Sequence, residues 1–179
     1  MVKNLKPLVW ALALAVAGAV MARAATSLSI VPIVHGNELL LSFELAEGYT
    51  DEVREAISSG LRTTFTYDVD LRMSVAGWVD RTVTSAVISA SDQYDNLTRR
   101  HTLSRSIDGR VLEALVTEDE SVVREWLTTA KRVPLCQTSS LDPSRDYFVR
   151  IRARRRPSGA SLFGWASNVT AQARFTFIP

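Results

Sequence analysis

Between Thr64 and Val75 polar and apolar residues alternate without a break. Phe65, Tyr67, Val69, Leu71, Met73 and Val75 take one side, and Thr64, Thr66, Asp68, Asp70 and Arg72 take the other. A period of two over that length predicts a strand with one face in a core and one in water. In LSIVPIVHGNELLLSFEL the same pattern recurs through Leu39, Leu41, Phe43 and Leu45, and a turn at His35-Gly36-Asn37 divides two strands of an opening hairpin. After a break over Ala76–Asp80, RTVTSAVISAS reads as an antiparallel return with weaker alternation. RHTLSRSIDGRVLEALV folds two short strands about Asp108-Gly109, a strong hairpin signal. Near the end, DYFVRIRARR sets Tyr147, Val149, Ile151 and Ala153 against Phe148, Arg150, Arg152 and Arg154; Val169, Ala171, Ala173, Phe175 and Phe177 form a last inner row.

Two segments switch to helical spacing. In GYTDEVREAISSGL, Thr50 is placed to cap, Asp51 and Glu52 suit the positive end of a helix dipole, and Gly60 suits a left-handed exit. TEDESVVREWLTTAKRVP pairs Thr117 with Glu120 as a capping box, spaces Val122, Val123, Trp126, Leu127 and Ala130 along one stripe, and stops at Val133-Pro134. This predicts a second helix over Thr117–Lys131, with Trp126 and Leu127 packed on a sheet. The count is about eight strands and two helices with no βαβ alternation. The predicted fold is therefore α+β, mainly antiparallel β, as a curved sheet or sandwich with two short helices packed on it.

The N-terminus changes what the totals mean. Lys3 and Lys6 precede an apolar run from Leu8 to Ala22, and Ala22-Arg23-Ala24 is a small-x-small step. This is the pattern of a secretory signal peptide, and the run is shorter than the roughly 20 residues that span a bilayer. Cleavage is expected after Ala24, leaving a single β-rich domain over 25–179 in the periplasm or outside the cell; membrane contact would come only through an uncleaved signal. Residues 1–24 carry Lys3, Lys6 and Arg23 and no acid, so 21 basic residues fall to 18 against 19 acidic ones. The formal charge moves from +2 to −1, which removes the main support for nucleic-acid binding. Cys136 is the only cysteine, so one chain can form neither a disulfide nor a thiolate metal cluster.

Candidate chemistry is sparse. His35 and His101 are the two histidines, and neither has a His or Cys at metal-ligand spacing. G-x-S-x-G, S-x-x-K and phosphate-cradling glycine loops do not occur. No cofactor, metal site or catalytic residue is assigned on this reading. Within YDNLTRRH, Asp95 and Asn96 are turn formers, and the segment reads as an architectural corner with Tyr94 tucked beneath it. A competing reading groups Asp92, Asp95 and His101 as an oxygen-rich site for a hard cation. Paired carboxylates drawn from Asp80, Asp92 and Asp95 would suit hydrolysis of an envelope polymer. Arg150, Arg152 and Arg154 alternate on one strand. They make cross-strand ion pairs if the Asp68/Asp70 strand is their neighbour, and a basic binding stripe if it is not.

The run EGYTDEVREAISSGLRTTFTYDVDL ending at Leu71, followed by Trp78-Val79-Asp80 and by Tyr94-Asp95-Asn96-Leu97-Thr98, resembles an exported bacterial family known as domain of unknown function 4390. The resemblance extends over most of Leu39–Phe177. It implies a bacterial, exported, β-rich domain and brings no activity, cofactor or catalytic residue. The expected function is a non-enzymatic envelope module that binds an envelope protein or an anionic ligand through its sheet face or loops; the alternative is the carboxylate hydrolase.

Overall fold

The computed structural model describes residues 26–75, 77–157 and 168–177. Strands β1 (Ser27–His35) and β2 (Glu38–Ala46) form the opening hairpin, in register from Ser27 opposite Ala46 to His35 opposite Glu38. Helix α1 (Asp51–Ser58) follows, and Gly60 leaves it at φ +80°, a conformation that side chains with a Cβ rarely adopt. Four strands come next: β3 (Thr63–Met73), β4 (Arg81–Asp95), β5 (Arg100–Ile107) and β6 (Arg110–Thr117). Helix α2 (Glu120–Thr128) runs directly into β7 (Thr129–Gln137), and β8 (Asp146–Pro157) and β9 (Val169–Thr176) close the order.

All pairings are antiparallel, in a small sheet ordered β1-β2-β7 and a large one ordered β6-β5-β4-β3-β8-β9. The predicted α+β architecture, mainly antiparallel strands with two short helices packed on them, is the one found. The two sheets share one core, in which the Phe43 ring of β2 meets the Tyr67 ring of β3 at 4.5 Å. The inward row of β3 does what its alternation predicts: Thr63, Phe65, Tyr67, Val69 and Leu71 are all buried. Helix α2 adds Val123 and Leu127 to the same core.

The second helix is shorter than predicted. It starts after Asp119, whose carboxylate accepts from the Ser121 N–H, while Thr117 Oγ accepts from the Asp119 N–H instead of capping the helix itself. It ends at Thr128, because from Thr129 the backbone pairs with β2. TAKRVPLCQ is therefore a ninth strand and not the end of a helix. Pro134 is tolerated there because β7 lies at a sheet edge. Trp126 is only half-buried, with its ring stacked on the Arg105 guanidinium at 4.5 Å from the ring centre, so Leu127 is the deeper anchor of the two.

Candidate interaction surface

Of the three carboxylates singled out from the sequence, Asp92 and Asp95 lie on β4 and Asp80 lies just before it, and the strand geometry separates them. Asp80 precedes the strand and lies twelve residues before Asp92, on the order of 40 Å at about 3.3 Å per residue. Asp92 and Asp95 are three residues apart, an odd step that turns them to opposite faces. Asp92 is fully buried on the inner face and Asp95 is exposed. No two of these carboxylates share a site.

The structure does bring Asp92 and His101 together. His101 Nδ1 lies 2.9 Å from Asp92 Oδ2, and both side chains are buried. His101 stands opposite Tyr94 in the β4–β5 register, and their rings meet at 4.5 Å with their planes tilted by 35°. Burial pushes the Asp92 carboxyl above its ordinary value, although His101 opposes that shift. Its second oxygen, Oδ1, is buried without a hydrogen-bond partner among the described residues. Tyr49, at the entry to α1, feels the Asp92 carboxyl as a minor contribution to its own raised value. Burial first, and then Glu120, push Tyr49 up to about 12. Arg54 ties the two helices together, bonding Asp51 at 2.8 Å and Glu120 at 2.7 Å.

Asp95 belongs to the turn. Its carboxylate accepts from the Leu97 N–H at 2.8 Å and the Thr98 hydroxyl at 2.9 Å, and these bonds hold it below the usual carboxylate range. Arg99 completes the turn at φ +58° and donates its N–H to the Asp95 carbonyl. The corner expected at YDNLTRRH is thus present. Tyr94 departs from expectation, being half-buried, and its hydroxyl meets no hydrogen-bond partner among the described residues. Packing against His101 holds the ring where a phenol hydrogen bond was anticipated.

On the outer face of the large sheet β8 lies beside β3, and the arginine row meets the two aspartates. Arg150 bonds Asp70 and Arg154 bonds Asp68, each at 2.6 Å. Burial raises the Asp70 carboxyl, but bonds from Arg150 and Ser85 outweigh it and leave a net lowering. Arg152 is exposed between them, with no ion-pair partner among the described residues. Arg155 and Arg156 extend β8, but their side chains lie outside the described residues. The half-buried Cys136 thiol is raised by burial, which suits an unreactive side chain.

Comparison with known families settles the relationship that the order of features suggested. A family described as a domain of unknown function (DUF4390) matches residues 23–162. The chain belongs to this family. No curated protein and no solved structure matches it.

The feature that sequence reading missed in this family member is the exposure of β6. Both of its faces are open: Val111, Leu112, Leu115 and Val116 are 63%, 48%, 41% and 57% exposed. As the terminal strand of the large sheet it also presents a backbone edge that is unpaired among the described residues. Natural sheets blunt such edges with proline, charge, bulges or a covering segment. β1 carries Pro32 and approaches β9, and β7 carries Pro134, whereas β6 holds no proline and its register slips once, between Val111 and Glu113. Beside it a small groove of about 150 Å³ is lined by Arg105, Val122, Glu125, Trp126, Thr129 and Lys131. Arg105 reaches from β5 into that groove, donates to the Trp126 and Thr129 carbonyls, and meets Glu113 of β6 at 3.5 Å. The apolar pairs Val111-Leu112 and Leu115-Val116, which do not alternate with polar residues, could have flagged the strand as unusual, but not that both its faces are open.

Proposed function

We propose that this protein is a non-enzymatic interaction module of the bacterial envelope whose β6 edge accepts an added strand. The observation that carries this reading is an edge strand that is uncovered among the described residues, with apolar side chains exposed on both faces. Backbone pairing supplies affinity in strand addition, and alternate side chains supply specificity. The separation of Asp80, Asp92 and Asp95 leaves the hydrolase alternative without a carboxylate pair among them. Arg152, flanked by two neutralised arginines, offers a second and smaller contact for an anionic ligand.

The leader pattern of residues 1–24 supports export with removal after Ala24, and a periplasmic or secreted single domain from Ala25 onward. Mass measurement of the protein recovered from the envelope tests that part; a chain retaining Met1 would replace a free domain with an anchored one. For the surface, immobilised protein is challenged with envelope extract beside a column bearing Val116→Lys. A partner held by the parent and lost by the variant, whether another envelope protein or further copies of this chain, is the expected result. Equal retention on both columns would remove the β6 edge as the binding surface.

A further inference from the structure

We propose that the groove between α2, β5 and β7 receives the C-terminal residue of a peptide, with Arg105 taking its carboxylate and Val122 and Trp126 taking its apolar side chain. This goes beyond the strand-addition reading and does not depend on it, since the groove is lined by α2, β5 and β7.

The Arg105 guanidinium is fixed in place but short of negative charge. Its Nη2 is spent on the Trp126 and Thr129 carbonyls at 3.0 and 2.9 Å, and the guanidinium carbon lies 4.5 Å from the centre of the Trp126 ring. Only 11% of the side chain is exposed. Its Nε, like Trp126 Nε1, is buried with no hydrogen-bond acceptor among the described residues. The remaining nitrogen, Nη1, has Glu113 Oε2 at 3.5 Å, well outside the roughly 2.7–2.9 Å of a close charge-assisted bond. Glu113 is more than half exposed, so water weakens its attraction further. Burial accordingly lowers the Arg105 guanidinium from its ordinary value. A cation enclosed in this way is most stable with an anion beside it. Two carbonyls and a ring already hold the guanidinium, so a ligand need not order it.

The surroundings select the kind of anion. Glu125 lines the groove, tied to Lys131 at 2.5 Å, and Glu113 stands beside Arg105, so a doubly charged phosphate meets more repulsion than a carboxylate does. Val122 and Trp126 supply an apolar wall next to the charge. The groove, of about 150 Å³ and open to solvent, is smaller than the roughly 300–1,000 Å³ pockets that enclose a whole small molecule. One end residue fits, with the rest of its chain outside. A C-terminal residue carries its carboxylate and its apolar side chain on the same carbon, whereas an internal acidic residue has only a short methylene stem.

Calorimetric titration with an acetylated tripeptide of two alanines and a terminal leucine tests the site. The free acid should bind saturably, and the same peptide amidated at its C-terminus should bind about ten- to hundredfold more weakly, because one charge-assisted bond is lost. Val122→Phe, which fills the apolar wall, and Arg105→Lys, which removes the planar fork, should each weaken binding about tenfold or more. Thermal melts check that each variant folds; if Arg105→Lys does not, the half-buried Val122 position decides.

Absence of saturable binding at about 10 mM peptide, a concentration that reveals even weak contacts, overturns the site. So does equal binding of acid and amide, or a folded Val122→Phe or Arg105→Lys that binds like the parent. An amidated peptide with an internal glutamate that binds as well as the leucine acid refutes the C-terminal assignment. Inorganic phosphate competing more strongly than acetate refutes selection of a carboxylate. If the peptide does not bind but Val116→Lys still loses an envelope partner, this site fails and strand addition at β6 stands.

Discussion

Removing one oxygen atom tests how α2 is tied to the large sheet. The Tyr67 hydroxyl donates to the Leu127 carbonyl at 2.6 Å, and Tyr67 is 2% exposed. The acceptor lies in the last turn of α2, where helix carbonyls have no partner within the helix. Tyr67→Phe keeps the ring and its contact with Phe43, so the change isolates the hydrogen bond. The net value of such a bond is about 1 kcal/mol, and a buried acceptor left unsatisfied raises the loss to about 1–3 kcal/mol. For a domain of this size each kcal/mol lowers Tm by about 2–4 °C, so a drop of about 2–12 °C is expected. Thermal melts followed by circular dichroism read it, and urea titrations should show a lower midpoint at unchanged slope. A variant melting within about 1 °C of the parent would show that the bond does not anchor the helix end.

Leu127→Ala, at a fully buried core position, should cost about 2–5 kcal/mol by urea denaturation, and Trp126→Ala, at a half-buried ring, should cost less; the reverse order would refute the assignment of the deeper anchor. The folded-state pKa of Asp92 is raised, chiefly by burial, so the folded protein holds more protons than the unfolded chain above the ordinary Asp value of about 3.9. Its stabilising contribution is present below that value and lost as pH rises through the folded one. The stability difference between parent and Asp92→Asn should thus fall with rising pH, and a rising difference contradicts it. Asp95→Ala should speed hydrogen exchange at the Leu97 and Thr98 amides while leaving the Asp92–His101 pair intact, and unchanged exchange would mean that the carboxylate does not hold the turn.

The sheet core was legible because β3 and β8 alternate strictly, and an inward row of Phe65, Tyr67, Val69 and Leu71 has one way to be buried. Strand β7 was not, because Ala130 continues the helical stripe of α2 and Pro134 reads as a stop; its pairing with β2, which lies far away in sequence, overrides both signals. The candidate site was legible in part. Asp92 and His101 do meet in the structure, whereas Asp95 joined them in the sequence only because proximity along the chain hides the parity of a strand. The fate of the arginine row turned on which strand lies beside β8, a question of topology that no local pattern answers. Exposure of β6 is of the same kind: a strand with Val111, Leu112, Leu115 and Val116 reads alike at the centre of a sheet and at its rim.

The direct passage of α2 into β7 also governs how quickly the protein can fold. The small sheet needs β7 to reach back to β2, with the Arg132 N–H bonded to the Ser42 hydroxyl across 90 residues. The large sheet needs β8 to return to β3, with Arg150 joined to Asp70 across 80 residues. Each sheet is complete only once its own long loop has closed, and pairings of such high contact order place folding in the slow range of milliseconds to seconds. A nascent chain halted at Thr117 has the β1–β2 hairpin and the β3–β6 strands, but neither β7 nor β8. Phe43 and Tyr67 can already meet in such a chain, yet β2 and β3 each keep one edge unpaired until its last third has been made.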